Sequence, residues 1–256
     1  MSNLMPTFQQ FSYNGADAEK FLQGQVTCNV SKIGEQFLQT AICDLKGRVH
    51  FSLWLKRLSQ DENGSEFAIV LPSSIADEFA AHIRKFGAFS KATLTAQGEV
   101  FAVWNDKAQP AQLEFNSENG DNSWEKAAIL HGEAWIDNST QHLFQPQELR
   151  LHQRFGVDYD KGCYLGQEIV ARLWFKAQPK QWLHLIHVEN TEKFPPIAQG
   201  EFLAEHVQVV NILQENQQYW ALVVAKPDVL ANLQTENKLT VLALPEHLQG
   251  DIARAK

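Results

Sequence analysis

The segment TAICDLKGRVHFSLWL, residues 40–55, decides the fold class of this chain. One face of its second half consists of Val49, Phe51, Leu53 and Leu55, and the other consists of His50, Ser52 and Trp54. Alternation with a period of two is typical of a β-strand. A Lys-Gly pair separates this run from an apolar run before it, and glycine suits a tight turn. The segment therefore predicts two strands joined by a turn.

The flanking sequence extends this pair into a larger unit. EFAIVLP predicts another strand, and SSIADEFAAHIRKFG predicts a helix that Ser73 or Ser74 caps and that Gly87 ends. The apolar stripe predicted for this helix comprises Ile75, Phe79, Ile83 and Phe86. ATLTAQGEVFAVWN predicts a further pair of strands. Strands, a helix and strands again favour an α+β fold with an antiparallel sheet.

Changes in composition divide the rest of the chain. Residues 106–123 are polar, with a proline and several asparagines, and predict a loop or domain boundary. From residue 181 onward, short β-type runs alternate with polar and proline breaks, which predicts a small all-β module, a barrel. The predicted domains are residues 1–106 and 107–178, both α+β, and residues 179–256.

The bulk composition excludes several classes of function. The chain has 256 residues and a net charge of −8, so direct nucleic-acid binding is not expected. It contains no apolar run long enough for a membrane span, and its first ten residues do not resemble a signal peptide. Three widely spaced cysteines without a CxxC pair fit reduced thiols in the cytoplasm, and no metal site is predicted.

The segment KGCYLGQEIVAR, residues 161–172, is the strongest candidate for chemistry and is called the signature segment below. A cation or a helix N-terminus near a thiol lowers its pKa, and Lys161 precedes Cys163 by two residues. The run after Cys163 predicts a helix, in which Glu168 and Arg172 are spaced to pair. Cys163 could serve as a nucleophile, as a one-carbon or redox handle, or as a metal ligand. It could also be an inert, buried thiol, which is the structural interpretation given to Cys28 and Cys43.

The signature segment resembles that of the YgfZ-type folate-binding proteins, which are relatives of the glycine-cleavage T-protein, an aminomethyltransferase. The matching residues are Lys161, Gly162, Cys163, Tyr164, Gly166, Gln167, Glu168 and Arg172. Three more segments resemble the family in the same order along the chain: GADAEKFLQGQVTCNV, CDLKGRV and GEAWIDNSTQHLFQPQEL. The resemblance covers the first two thirds of the chain by sequence, and the last third by position and type.

The resemblance implies a fold, a ligand and a role. The implied fold has ferredoxin-type α+β subdomains around a central folate cavity and a C-terminal all-β barrel. The implied ligand is tetrahydrofolate or a derivative. The implied role is to support assembly or repair of iron–sulfur enzymes, among them one that methylthiolates tRNA. Cys163 is the residue on which the family's activity is implied to depend.

Folate chemistry gives the implied site its requirements. A pterin needs an aromatic wall, its amino-pyrimidine edge needs acceptors, and its glutamyl tail needs cations. By the resemblance, Phe8 and Trp124 are the aromatic candidates, and Lys46, Arg48 and Arg172 are candidates for the tail.

Two departures from the family pattern bear on activity. His50 and Phe51 occupy the positions at which the aminomethyltransferases carry a pair of aspartates, so aminomethyl transfer is disfavoured. The middle of the chain, residues 87–124, is also shorter than in longer relatives. A folate-dependent one-carbon transferase and a non-catalytic folate-binding regulatory module remain as alternative functions.

Overall fold

The computed structural model describes residues 7–118, 123–189 and 197–253. Two sequence predictions fall partly outside the described residues. They concern the signal-peptide comparison at residues 1–6 and the predicted boundary loop at residues 119–122. The strands are β1 (Phe8–Gly15), β2 (Leu38–Cys43), β3 (Val49–Asp61), β4 (Gly64–Pro72), β5 (Ala92–Asn105), β6 (Gln112–Asn116), β7 (Trp182–Val188), β8 (Phe202–Ala204), β9 (Val207–Glu215), β10 (Gln218–Ala225) and β11 (Thr240–Leu242). The helices are α1 (Ala18–Gln23), α2 (Ala76–Phe86), α3 (Ser123–Leu130), α4 (Gln167–Phe175) and α5 (Pro227–Thr235).

The first sheet contains six antiparallel strands in the order β2-β3-β4-β1-β5-β6. The predicted pair around Lys46-Gly47 is confirmed as β2 and β3. Both faces of β3 are covered, because Phe51, Leu53 and Leu55 pack into one core and Val49 and Trp54 pack into another. The α+β class predicted from this region is confirmed.

Helix α2 covers the outer face of the first sheet and ends at its C-cap Gly87, as predicted, but its predicted N-terminal cap is wrong. Ser73 and Ser74 do not cap it, because they belong to a 3₁₀ turn, and its N-cap is Ile75 without a side-chain hydrogen bond. Phe79 and Ile83 are buried, whereas Phe86 in the last turn is half exposed. The predicted stripe therefore ends one turn before the helix does.

Two predictions between β4 and α3 are wrong. The segment predicted as two strands is the single strand β5 of 14 residues. Gly98 does not make a turn there; Gln10 pairs with Gly98 and Phe11 with Ala96, so the extra residue Gln97 is absorbed in a β-bulge. The predicted boundary loop contains β6, which pairs with β5. Its polar residues stand at the edge of the sheet, where one side of the strand faces solvent.

The C-terminal part forms a five-stranded antiparallel sheet in the order β11-β7-β10-β9-β8. The predicted barrel is not confirmed, because the strand order has two ends and helix α5 joins β10 to β11. A large core lies between the two sheets and receives Val70 from β4, Val210 from β9 and Val224 from β10. Helix α3 contacts β5, β9 and β10, and so also lies between the sheets. No helix among the described residues has the length and apolarity to cross a membrane.

Candidate functional site

The signature segment is anchored to the N-terminal part of the chain through Lys161. The Lys161 side chain is buried, and its ammonium Nζ donates to the backbone oxygens of Gln23 at 2.7 Å, Val26 at 2.5 Å and Cys28 at 2.8 Å. Burial lowers the pKa of Lys161 to about 8. All three donors of the ammonium therefore bind backbone carbonyls within residues 23–28.

Two glycines allow helix α4, which begins within the signature segment, to pack directly on the β2–β3 turn. Gly166, the N-cap of α4, has φ of 79°, and a Cβ on it would lie 2.3 Å from the Asp44 carbonyl oxygen. A Cβ on Gly47 in the turn would lie 2.8 Å from Cβ of Ile169. Because neither position has room for a side chain, the two backbones approach closely. The structure thus brings together three segments that the sequence analysis selected separately.

The three cysteines differ in exposure. Cys163 is exposed, between exposed Gly162 and buried Tyr164. Cys28 and Cys43 are fully buried, as their structural interpretation predicts. Burial raises the pKa of the Cys28 thiol to about 11, and it raises the pKa of Cys43 as well. Within the described residues, Cys163 is therefore the thiol that solvent and a partner can reach.

A cavity of about 590 Å³ lies close to the signature segment and is called the Glu133 cavity. Its walls include Phe37, Gln39, Glu133, Arg154 and Phe155. A shallower depression of about 710 Å³, the Gly162 groove, is lined in part by Lys161 and Gly162. Asn29 lines both the cavity and the groove, so the two spaces adjoin. The groove leads from the cavity toward the residue that precedes Cys163.

Glu133 and Arg154 form a buried pair in the wall of the cavity. The Arg154 Nη1 lies 3.5 Å from the Glu133 carboxylate, whose oxygens also accept from Nε1 of Trp54 at 2.7 Å and from the backbone N of Leu113 at 3.1 Å. Burial raises the pKa of Glu133, and Arg154 opposes that rise. The Nε of Arg154 is buried and has no hydrogen-bond partner within the described residues. The cavity wall thus contains an anionic acceptor and a cationic donor with a free hydrogen.

The predicted folate contacts do not meet at one cavity. Phe8 and Trp124 are 1% and 3% exposed, and their ring centroids lie 5.4 Å apart in the core between the sheets. Phe8 also packs on Trp54, which holds Glu133, so this aromatic cluster supports the cavity wall from behind. Lys46 and Arg48 lie on the β2–β3 turn instead.

The predicted cations face solvent. The Nη1 of Arg48 donates to the backbone oxygens of Leu143 and His142. Arg172 is exposed on α4, and no ion pair joins it to Glu168 in the described part of the chain. The structure therefore gives Arg48 a role in the turn and leaves Arg172 on the surface.

Sequence reasoning missed Glu133, Arg154 and Phe155 as site residues. The sequence does contain a signal for Glu133, because this acid lies next to an apolar run in the quoted segment GEAWIDNSTQHLFQPQEL. Such an acid is buried only if it is paired. Arg154 and Phe155 carry no comparable local signal, since only the fold brings residue 154 to residue 133.

One group of side chains could hold a metal ion. Ligand atoms of His50, Glu78 and His142 all lie within 4.8 Å of one another. His50 is one of the two residues that replace the expected aspartates, and the sequence analysis predicted no metal there. Phe51, the other, is buried in the core beside α2.

Comparison with solved structures identifies the class of protein to which the fold belongs. The chain is similar to the glycine cleavage system aminomethyltransferase T from Bartonella henselae, with a TM-score of 0.65 over 86% of this chain and 76% of that chain. The sequence identity is 12%, so this likeness shows the fold alone. The chain therefore has the aminomethyltransferase T fold.

Sequence comparison narrows the class to a family. The tRNA-modifying protein YgfZ of Shigella dysenteriae is 31% identical, with 67% of each chain covered, and that of Cronobacter sakazakii is 29% identical, with 66% of this chain and 65% of the relative covered. An uncharacterized protein of Haemophilus influenzae is 28% identical, with 73% of each covered. No family model matches the chain. The chain belongs to the YgfZ family, and the matches span about two thirds of the length of the YgfZ relatives.

Proposed function

We propose that this protein binds tetrahydrofolate in the Glu133 cavity and supports the assembly or repair of iron–sulfur enzymes through the thiol of Cys163. A tRNA methylthiolating enzyme is among the proposed clients, which fits the name of the YgfZ relatives as tRNA-modifying proteins. The client enzyme, and not this acidic chain, would contact the tRNA. The ferredoxin-type subdomains and the domain limits at residues 106 and 178 are part of the same proposal.

The lining of the Glu133 cavity supports a folate ligand. Its volume of about 590 Å³ falls in the range of small-molecule sites. Phe37 and Phe155 offer aromatic faces for a pterin, the Glu133 carboxylate can accept from an amino-pyrimidine edge, and the free Nε of Arg154 can donate to a carbonyl oxygen. Lys32, at the rim, can meet a glutamyl carboxylate.

The observation that carries the role of the thiol is the exposure of Cys163. Of the three cysteines, the signature cysteine is the exposed one, and it follows Gly162 in the wall of the groove that adjoins the cavity. An exposed thiol can exchange with, transfer to or coordinate a group on a client protein. A protein that only senses folate would need no exposed thiol there.

Aminomethyl transfer is the less favoured function. His50 is not a carboxylate and donates from Nε2 to the Glu78 Oε1 at 2.8 Å, and Phe51 is buried in the core. Neither can act as the acid expected at these positions in the aminomethyltransferases. Turnover of a tetrahydrofolate one-carbon derivative by the purified protein would reverse this ranking.

A binding experiment tests the folate site. Phe155 is 69% exposed at the cavity wall with φ of 63°, a backbone region that asparagine tolerates better than phenylalanine. Calorimetric titration with tetrahydrofolate should show binding roughly 5- to 30-fold weaker for Phe155→Asn, since stacking of a flat ring on an aromatic side chain is worth about 1–2 kcal/mol. Phe89→Asn removes another exposed phenylalanine and should bind like the unmodified protein. Equal affinities in all three proteins would rule out this cavity.

A second experiment tests the thiol. In cells whose own YgfZ-family protein is deleted, the unmodified chain should restore the activity of the tRNA methylthiolating enzyme, read as methylthiolated nucleoside in tRNA. Cys163→Ala and Cys163→Ser should be present at normal levels and fail to restore it. Full restoration by both variants would show that the thiol has no part, and would favour the regulatory folate-binding alternative.

A further inference from the structure

A cluster of two imidazoles and a carboxylate lies outside the Glu133 cavity. His50 extends from β3, Glu78 from the first turn of α2, and His142 from the loop before the signature segment. The His50 Nε2 lies 2.8 Å from the Glu78 Oε1, and the His50 and His142 ring centroids lie 4.3 Å apart. Residues distant in sequence thus present their ligand atoms within 4.8 Å of one another.

Neighbouring polar groups orient these side chains. The Asp44 Oδ2 lies 3.0 Å from the His142 Nδ1, which directs the lone pair of Nε2 away from Asp44. The amide Nε2 of Gln141 donates to the Glu78 Oε2 at 3.1 Å, which leaves Oε1 toward His50. A carboxylate behind a ligating histidine is a recurrent feature of metal sites, because it fixes the tautomer and raises ligand basicity.

Carboxylates lie beside both imidazoles. Glu78 lies against His50 at 2.8 Å and Asp44 against His142 at 3.0 Å, and the His50 and His142 ring centroids lie 4.3 Å apart. Two imidazole nitrogens with a carboxylate oxygen form a donor set that suits a divalent transition-metal ion.

We propose that His50, Glu78 and His142 bind a divalent transition-metal ion of the Zn²⁺ type, with water as the fourth ligand. The ligands would be Nε2 of both histidines and a carboxylate oxygen of Glu78. A tetrahedral site with bonds of about 2.0–2.1 Å holds its ligand atoms roughly 3.3 Å apart. The side chains of Glu78 and His142 are about half exposed, so they can adjust to that spacing and leave a position open to water.

Metal titration of the chelator-treated full chain tests this site. We expect one equivalent of Zn²⁺ to bind by calorimetry, Co²⁺ to give the visible absorption of a tetrahedral site, and Zn²⁺ to raise the melting temperature by linking three segments. Loss of outer-shell partners weakens metal sites by roughly 10- to 100-fold, so loss of a ligand in Glu78→Gln or His142→Asn should weaken binding at least about 100-fold.

A matched control is available on the β8–β9 turn. His206 also has a left-handed backbone, with φ of 62° against 61° for His142, and it also pairs with a glutamate, Glu205 at 3.3 Å. Among the described residues no third ligand joins this pair, so His206→Asn should bind Zn²⁺ like the unmodified chain. Absence of binding in the unmodified chain, or equal affinity in a folded His142→Asn or Glu78→Gln variant, would overturn the proposal. Circular dichroism establishes that each variant is folded.

Discussion

At the scale of single residues, the protein gives the same side chain different chemistry through burial. Cys28 and Cys43 pack against apolar neighbours in the two cores that flank the first sheet. Cys163, in contrast, faces solvent directly after an exposed glycine. A thiolate reacts only if it can form and be reached. Exposure, and not the number of cysteines, therefore selects the thiol proposed to act.

This difference predicts the thiol count of the native protein. An aromatic disulfide reagent at pH 8 should label one thiol per chain quickly, and three after denaturation, because the pKa of Cys28 is raised to about 11 and that of Cys43 is also raised by burial. Cys163→Ala should lose the fast phase entirely. A fast phase that persists in this variant would show that a buried cysteine is accessible.

Lys161 illustrates a charged residue that serves the fold. In Lys161→Met the three carbonyls that its ammonium holds lose their donor, which should lower the free energy of unfolding by about 2–4 kcal/mol. Urea denaturation measures this change. Lys46→Met, at an exposed lysine on the β2–β3 turn, should change stability by less than about 0.5 kcal/mol. Equal effects of the two substitutions would contradict the anchoring role.

At the scale of elements, the signature segment packs helix α4 against the β2–β3 turn and also carries Cys163. Helix α4 begins at Gly166 directly against the Asp44 carbonyl, and Gly47 of the turn lies against Ile169. The same turn carries Asp44, which orients His142 in the proposed metal cluster. Gly166 in KGCYLGQE and Gly47 in DLKGR therefore allow the close contact between the two segments.

Two glycines of the signature segment should respond differently to alanine. Gly166→Ala places a Cβ 2.3 Å from backbone and adds about 1–2 kcal/mol for the left-handed conformation, so a total loss above roughly 3 kcal/mol is expected. Gly162→Ala meets nothing within 4 Å and should be nearly neutral. Thermal unfolding compares the two. Similar melting temperatures for both variants would be inconsistent with the close approach.

Local pattern was enough to predict most elements near the signature segment. The alternation in residues 51–55 predicted β3, and the run after Gly166 predicted α4, because each element imposes its own period on its sequence. Val49 was predicted on the face of Phe51 but packs in the opposite core, because the register between β2 and β3 shifts there. The bulge at Gln97 was not predictable, since glycine at position 98 signals a turn and a bulge equally. The strand β6 was missed because edge strands tolerate polar residues.

At the scale of the whole molecule, several elements together form the Glu133 cavity, which no single element could form. The Glu133 cavity combines residues from β2, from the loop before it and from the 3₁₀ turn at Leu151–Arg154. Its principal pair joins positions 21 residues apart through tertiary structure. The sequence could predict the class of fold and the signature cysteine as a candidate, but it could not predict which residues meet at the cavity.

Burial in the interior also predicts how stability depends on pH. Burial lowers the pKa of His184 to about 4, so between pH 6.5 and 4 the unfolded chain binds a proton that the folded chain does not, and acid destabilises. Burial raises the pKa of Glu125 to about 7, so between pH 7 and 4.5 the folded chain binds the extra proton, and acid stabilises. The two groups therefore act with opposite sign over the same range.

Variants separate the two contributions. Relative to the unmodified chain, His184→Asn should gain about 2 kcal/mol of unfolding free energy between pH 7.5 and 5.0, and Glu125→Gln should lose about as much. Urea denaturation at the two pH values measures both changes. A change of the same sign in both variants would refute the assignment.

We propose that a folate ligand occupies the Glu133 cavity, which adjoins the Gly162 groove. A crystal structure of the protein grown with tetrahydrofolate tests this most directly. We expect the pterin against Phe37 or Phe155, with its amino-pyrimidine edge hydrogen-bonded to the Glu133 carboxylate and its tail toward Lys32. Tetrahydrofolate bound elsewhere on the chain, or an empty cavity at a saturating concentration of the ligand, would show that the Glu133 cavity is not the folate site.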